Sequence, residues 1–308
     1  MLLVVIVRKN FRQLTRAFIS TLFSSFCFVL PAEAQSQQVN PFTGVNRLWF
    51  EWNTIPNTQW APRVIDSGAK PDKTLQILKF QPVIPFKLSD DLTLVTRTVM
   101  RFINKPSADP LLGFNPVTQQ PGVIGFDERN KAGLDSVNPS FFFVPNTGQN
   151  SAIGIGPSFA VSIDNNVGSN QFGVGPAVMA FKQFGRWTTG VRARQIWGVS
   201  NRSTNEDLNN LVAQPILRYQ FDKNWYLLSS PIIIADFNLD QAWTLPIGGG
   251  IGRTFKLSRS TQALISLEAY YNAIKPEFDA GESLLGDWTI RAQFQIAIPD
   301  LTSASPGK

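Results

Sequence analysis

The chain has 308 residues, a formal charge of +6 from 28 Lys and Arg against 22 Asp and Glu, no histidine and one cysteine. Without histidine there is no imidazole base for a serine-triad hydrolase, and a zinc site lacks its commonest ligands. The charge is too mild for a nucleic-acid-binding protein, and a single cysteine rules out an intrachain disulfide.

In chain order, residues 1–34 read first as a signal peptide. Arg8, Lys9, Arg12 and Arg16 form a basic region, the run from Ala17 to Leu30 is apolar, and Ala32-Glu33-Ala34 fits a small-x-small cleavage site. Cleavage after Ala34 also removes Cys27, so no thiol chemistry is expected of the mature chain. Residues 35–44 are then expected to form a short periplasmic segment, 45–298 an outer-membrane barrel, and 299–308 a disordered tail. Beyond the leader no apolar run approaches the ~20 residues of a membrane helix. The mean hydropathy of −0.04 is nevertheless compatible with a membrane barrel, in which half of each strand faces a polar lumen.

From residue 45 onward the chain alternates with a period of two, the signature of strands with unlike faces. Strands are predicted near 45–53, 74–86, 92–103, 136–145, 152–163, 170–182, 187–199, 209–221, 225–236, 242–256, 261–274 and 287–298. The last is the clearest: Trp288, Ile290, Ala292, Phe294, Ile296 and Ile298 alternate with Thr289, Arg291, Gln293 and Gln295. In 261–274, Ile265, Leu267, Ala269 and Tyr271 oppose Ser266, Glu268, Tyr270 and Asn272. Short connections such as Ser89-Asp90-Asp91, Phe184-Gly185-Arg186, Asp222-Lys223-Asn224 and Ser258-Arg259-Ser260 carry turn residues and fall at every second position, between longer loops at 54–73, 104–135 and 275–286. Short periplasmic turns, longer outer loops and an even strand count define an all-β fold, a transmembrane antiparallel up-and-down β-barrel of about twelve strands. Trp187, Trp225, Trp243 and Trp288 stand at strand starts, where membrane-interface aromatics belong. A soluble β-protein would not tolerate the apolar surface of such outward faces.

Mid-strand prolines at 82, 157, 176, 215, 231 and 246 strain this reading, because each removes a ladder donor and a closed barrel has no edge to hide it. Bulges are the expected remedy. Gly154, Gly156, Gly173, Gly175 and Gly190 share the inward phase of neighbouring strands, leaving either a pocket or, the favoured reading, room for long arginines opposite.

A set of motifs spanning about 45 to 298 resembles a bacterial outer-membrane family misannotated as "neuromedin U", related to the transporters named for the meta-pathway of phenol degradation. They are Gln81-Pro-Val-Ile-Pro-Phe86, Val95-Thr-Arg97, Gly173-Val-Gly-Pro176, Phe181-Lys-Gln183 with Trp187-Thr-Thr-Gly190, Ile196-Trp197, Gln214-Pro215, Trp243-Thr-Leu-Pro246 and Tyr271 with Lys275-Pro276. The resemblance implies an outer-membrane location and transport of small molecules, hydrophobic ones among them. Where that family often carries histidine before Ile-Trp, this chain reads Val191-Arg-Ala-Arg-Gln195, so no role of that histidine transfers.

Little in the sequence points to catalysis. Asp90-Asp91 is the obvious carboxylate pair, but it sits in a tight turn, where solvation is the simpler explanation. Gly248-Gly-Gly-Ile-Gly252 lacks the βαβ context of a nucleotide site. The chain is therefore read as a non-enzyme without catalytic residues, metal site or cofactor, whose partners are outer-membrane lipid and a small solute rather than nucleic acid. The strand phase puts Lys79, Arg97, Arg101, Arg192, Arg194, Arg218 and Arg291 inside, with Glu51 and Glu268. Basic rings favour anions. The expectation is an outer-membrane channel or transporter for small anionic or hydrophobic aromatic solutes. The competing expectation is a closed interior in which the arginines pair with carboxylates, or a non-conducting structural or adhesive barrel acting through loops such as 104–135, which is a candidate plug or external contact site.

Overall fold

The computed structural model describes residues 40, 42–59, 72–114, 120–146, 148, 150–163, 167, 171–199, 208–238, 243–258, 260–276 and 285–299. The predicted leader, residues 35–39 and the tail beyond Pro299 lie outside the described residues. The rest is strand and turn: β1 (Val45–Gln59), β2 (Asp72–Lys87), β3 (Leu92–Phe114), β4 (Pro121–Pro145), β5 (Ser151–Ser162), β6 (Phe172–Phe184), β7 (Trp187–Gly198), β8 (Asn209–Gln220), β9 (Trp225–Ser229), β10 (Ile233–Asp236), β11 (Trp243–Lys256), β12 (Gln262–Ile274) and β13 (Trp288–Pro299). Sequential strands pair antiparallel, β9 and β10 excepted, and β1 pairs with β13, with Phe50 opposite Phe294. The sheet thus closes on itself and leaves no edge.

The stretch 225–236, expected as one strand, is two. β8 pairs with β9 up to Leu217–Ser229 and resumes with β10 at Ala213–Ile233, and β11 pairs with both halves. β9 and β10 are therefore halves of one crossing, and the barrel has twelve. The break falls on Ser230-Pro231-Ile232. Pro231 has no N–H to give the ladder.

The other mid-strand prolines sit at the same kind of discontinuity. The β2–β3 ladder is interrupted between Phe80 and Val83 around Pro82. Pro157 and Pro176 face each other across β5 and β6, while the ladders on their far sides skip both positions. Pro215 is laddered to β7 and faces the β9–β10 break on its other side, and a register shift precedes Pro246. Each of these five prolines keeps one paired side and turns its missing donor toward a gap, while Pro231 sits in the strand break itself, and so the closed sheet accommodates all six.

The period of two becomes two surfaces. Ile153, Ile155, Ile247 and Leu267 are each about 60% exposed or more, and Phe86, Leu217, Ile265 and Tyr271 are also exposed. On the other phase Glu51, Gln81, Ser158, Glu268, Asn272, Arg291 and Gln293 are buried. This inverts a soluble protein, and it is what a barrel in hydrocarbon requires.

Near each rim the interior is apolar. Val95, Phe142, Val144, Ala152, Ala177 and Met179 cluster toward the rim of short turns, with Phe42 packed on them. Ile55, Leu75, Ile103 and Val167 cluster toward the opposite rim. Phe42 precedes β1. Asn40 holds this segment in place, donating from Nδ2 to the carbonyls of Gly148 (2.7 Å) and Ser151 (3.1 Å), and the Phe42 ring stacks on Phe181 at 5.3 Å.

The expected loop 104–135 is a correction. β3 and β4 continue as a paired ladder from Leu92–Pro145 out to Phe114–Pro121. Strands of 23 and 25 residues far exceed the 9–11 or so that span a bilayer, so this hairpin extends beyond the membrane. Two register shifts relieve the long ladder, one of which leaves Asp135 as an extra residue between Ser136 and Leu134. Pattern reading missed the hairpin because its Pro, Gly and Asn content resembles that of a loop.

Candidate functional site

Ladder register brings the inward charges together. On β1, Arg47, Trp49, Glu51 and Asn53 share one phase. Glu51 lies opposite Lys79 of β2, and Lys79 lies opposite Arg101 of β3. On the other side Asn53 is opposite Arg291 of β13, and Arg291 is opposite Glu268 of β12. From β12 through β13 and β1 to β2 the register thus delivers an alternating belt of charge at one height of the barrel, with Arg101 of β3 beside its Lys79 end.

The belt is tightly paired. Lys79 Nζ lies 2.7 Å from Glu51 Oε1, and Arg291 bridges both carboxylates, 3.6 Å from Glu51 and 3.5 Å from Glu268. Arg291 also donates to Asn53 Oδ1 (3.0 Å) and to the Ser230 carbonyl (2.8 Å). Glu268 accepts from Tyr270 Oη (2.5 Å), Ser230 Oγ (3.0 Å) and Ser266 Oγ (3.3 Å). The Ser230 N–H, lost to the ladder at the strand break, donates to Tyr270 Oη at 2.7 Å. Both polar groups of an interrupted backbone are therefore satisfied by the charge belt, as burial demands. Arg101 pairs with Asp135 at 2.5 Å.

The remaining arginines differ. Among the described residues no carboxylate pairs with Arg97, Arg192, Arg194 or Arg218. Arg97 donates to Gln81 Oε1 at 2.5 Å, and Arg218 to Gln220 Oε1 at 2.8 Å. Arg218 otherwise lies over the Tyr226 ring, 3.7 Å from its centroid. Arg192 reaches from β7 across the interior to β1, its guanidinium 5.0 Å from the Trp49 centroid and 5.8 Å from that of Phe181. Cation–π contact holds these groups in place without neutralising them.

Two chambers adjoin at Arg97, Arg192 and Phe142. One, of about 800 Å³, is lined by Lys79, Arg97, Arg101, Arg192 and Arg194, with Glu51 as its acid. The other, of about 1030 Å³ and open to solvent, is lined among the described residues by Arg47, Arg97, Arg192 and Arg218 and by no acidic residue. Glu268 and Arg291 belong to the paired belt rather than to either chamber lining. Trp187 and Trp225 stand exposed at the rim of short turns, and Trp243 and Trp288 at the other. Trp187 packs on Tyr219, Trp288 on Tyr271 and Trp243 on Phe237, and Arg253 lies over Trp225. Asp90 is fully outside this system. It pairs with Lys87 at 2.6 Å in the exposed turn, and that hydrogen bond holds its carboxyl below the ordinary range. Among the described residues no three acidic, histidine or cysteine side chains converge as a metal site.

Arg47, Trp49, Asp135, Tyr226 and Ser230 are site residues that sequence reasoning passed over. Arg47 and Trp49 share the phase of Glu51 and were open to the same argument. Asp135 enters through a bulge and Ser230 through a strand break, and neither leaves a periodic signal. The inward glycines also serve differently from the favoured reading. A side chain at Gly190 would meet the adjacent Phe181 ring, on which Arg192 lies, one at Gly154 would meet Val144 and one at Gly173 would meet Ile196, so neighbouring apolar side chains rather than opposite arginines take that space; Gly252, outside that set, likewise abuts the Tyr226 ring under Arg218.

A closed antiparallel barrel, apolar outside and charged within, is the architecture that crosses a membrane with strands. No family model matches the chain, and no curated protein matches it. Among solved structures it is similar to an outer membrane channel from Pseudomonas putida F1, at 13% identity over 88% of this chain and 99% of that one, with a TM-score of 0.52. It also matches the toluene transporter TbuX of Ralstonia pickettii, at 10% identity over 84% and 92% with a TM-score of 0.40. A third match is outer membrane phospholipase A of Escherichia coli, at 11% over 85% and 99% with a TM-score of 0.38. The first likeness establishes the fold, that of an outer-membrane β-barrel. The other two superpose too loosely to argue from.

Proposed function

We propose that this protein resides in the outer membrane, exported by the leader 1–34, and serves as a channel or transporter for small solutes, with a preference for anionic ones. One observation carries the reading: a chamber of about 1030 Å³, open to solvent, is lined by Arg97, Arg192 and Arg218, none of which pairs with a carboxylate among the described residues. A barrel that only needed a filled interior has no use for unneutralised guanidinium groups, since buried charge without a partner is costly. The belt of Glu51, Lys79, Arg291 and Glu268 supplies the closed wall, and Arg97, Arg192, Arg194 and Arg218 line the solute path. The motif resemblance to a transporter family supports the same assignment, and the absence of histidine from the sequence argues against triad hydrolysis. Reconstitution into planar bilayers tests it. Conductance above background, with a reversal potential under a KCl gradient displaced toward chloride, is the expected result. A barrel that is folded and inserted but silent at high salt overturns it.

One observation favours a second reading, a non-conducting adhesive or structural barrel. The β3–β4 hairpin stays laddered well past the membrane and offers an external contact surface. Trimming it separates the two. Unchanged conductance with lost surface adhesion assigns the hairpin an external role, and raised conductance makes it a plug.

A further inference from the structure

The acid-free chamber is more specific than a basic pore wall. Resting on the reading of the interior as a solute path, we propose that it is a binding site for a small amphiphilic carboxylate, an anionic head on a compact apolar body, with Arg97, Arg192, Gln293 and Gln295 presenting donors to the head.

The first support is a set of orphaned groups. Arg97 Nε, Arg192 Nε, Trp49 Nε1, Gln293 Nε2 and Gln295 Nε2 are buried and have no hydrogen-bond partner, and all five residues line this one chamber. Gln293 and Gln295 are only 8% and 9% exposed, so solvent does not serve them freely. Every orphaned atom in this chamber is a donor, and the one orphaned acceptor among the described residues, Asn46 Oδ1, lies outside it. Buried polar groups are overwhelmingly paired in folded proteins, so a convergent set of unpaired donors marks the place of an acceptor. Because the neighbouring side chains are cationic, an anionic acceptor satisfies both charge and hydrogen bonding.

The second support is the rest of the wall. Val95, Phe142, Met179, Phe181, Ile216 and Leu228 line the same space. An inorganic anion would surrender its hydration to this side and gain nothing, whereas an apolar body gains from it. A neutral apolar solute would leave the guanidinium groups and glutamine amides unmet. Among the described residues the inward carboxylates are engaged elsewhere, Glu51 with Lys79 and Arg291, Glu268 with Arg291 and Tyr270, and Asp135 with Arg101.

Isothermal titration of the full-length protein in detergent tests the assignment with three probes: benzoate, benzyl alcohol as its uncharged counterpart, and acetate as the head without the body. Benzoate is expected to bind at least tenfold tighter than either control. Arg192→Gln and Gln295→Leu are each expected to weaken benzoate tenfold or more, while Arg186→Gln, in the β6–β7 turn, leaves it unchanged. Heat-modifiable migration on gels confirms that each variant is folded, and should Arg192→Gln not fold, Gln295→Leu carries the test. Benzoate binding no better than acetate or than benzyl alcohol overturns the site, as does wild-type affinity in both chamber variants. Titration needs no membrane, so a barrel that binds benzoate yet conducts nothing loses the channel reading alone. One that conducts yet binds no benzoate loses only this site.

Discussion

Arg291 shows what a single buried side chain settles in this molecule. It touches two carboxylates, an asparagine and the backbone at a strand break, so its charge is spent on architecture. Arg192, on the same inward phase, touches aromatic rings and keeps its charge. Phase alone cannot separate these roles, and only the partners do. Removing one member of a buried pair strands the other charge, at a cost of about 3–5 kcal/mol. Glu51→Gln is therefore expected to lower stability against urea by that order, and adding Lys79→Met is expected to recover part of it. A double variant no more stable than the single one would dissolve the proposed coupling. Gly252→Val tests the aromatic packing. It drives a side chain into the Tyr226 ring and should cost about 1–3 kcal/mol as overpacking. Combining it with Tyr226→Ala should relieve the clash, which comparison of unfolding midpoints would reveal.

At the scale of the strand, the interrupted crossing of β9 and β10 is the informative element. Its proline could be read in the sequence, but the consequence could not. The freed Ser230 N–H meets Tyr270 and the freed carbonyl meets Arg291 and Gln214, on strands distant in sequence. Tyr270→Phe removes both the acceptor of that N–H and a donor to Glu268. Hydrogen bonds to charged groups are worth about 1.5–3 kcal/mol, so a loss of that order is expected, with faster hydrogen exchange at the Ser230 amide. Unchanged exchange there would show that the strand break is held by something else. Strand faces make the complementary prediction. Leu267 points outward and is 59% exposed. If it meets lipid, Leu267→Arg should cost about 2–4 kcal/mol toward the bilayer midplane. The same substitution would be nearly neutral on a water-facing surface, and folding titrations into lipid vesicles distinguish the two.

For the molecule as a whole, the inward side chains Arg47, Lys79, Arg97, Arg101, Arg192, Arg194, Arg218 and Arg291 outnumber Glu51, Asp135 and Glu268. The surplus gathers on β7 and β8, across the barrel from the paired belt on β1, β2, β12 and β13, with Arg97 on β3 beside that belt. An interior with one neutral wall and one cationic wall is expected to select anions, and replacing Arg194 and Arg218 together by glutamine should move the reversal potential toward that of an unselective pore. The extended hairpin belongs to this scale too. Deleting 106–129 leaves the ladder from Leu92–Pro145 to Asn104–Ala132 in place, closed by Lys105, Asn130 and Lys131, so the shortened chain is expected to remain a heat-modifiable barrel. Its collapse would mean that the outer hairpin is needed for closure.

Closure, strand number and the oily and polar faces were legible in the sequence, because a strand exposes its residues alternately and that period is a local property of the backbone. The turns were legible for the same reason. Hidden from it were Asp135, displaced by a bulge, the hairpin whose composition imitates a loop, and the difference between arginines that are paired and arginines that are not. Those depend on which strands come to face one another across the lumen, a distance set by register and closure over the whole sheet, and only the tertiary structure decides it.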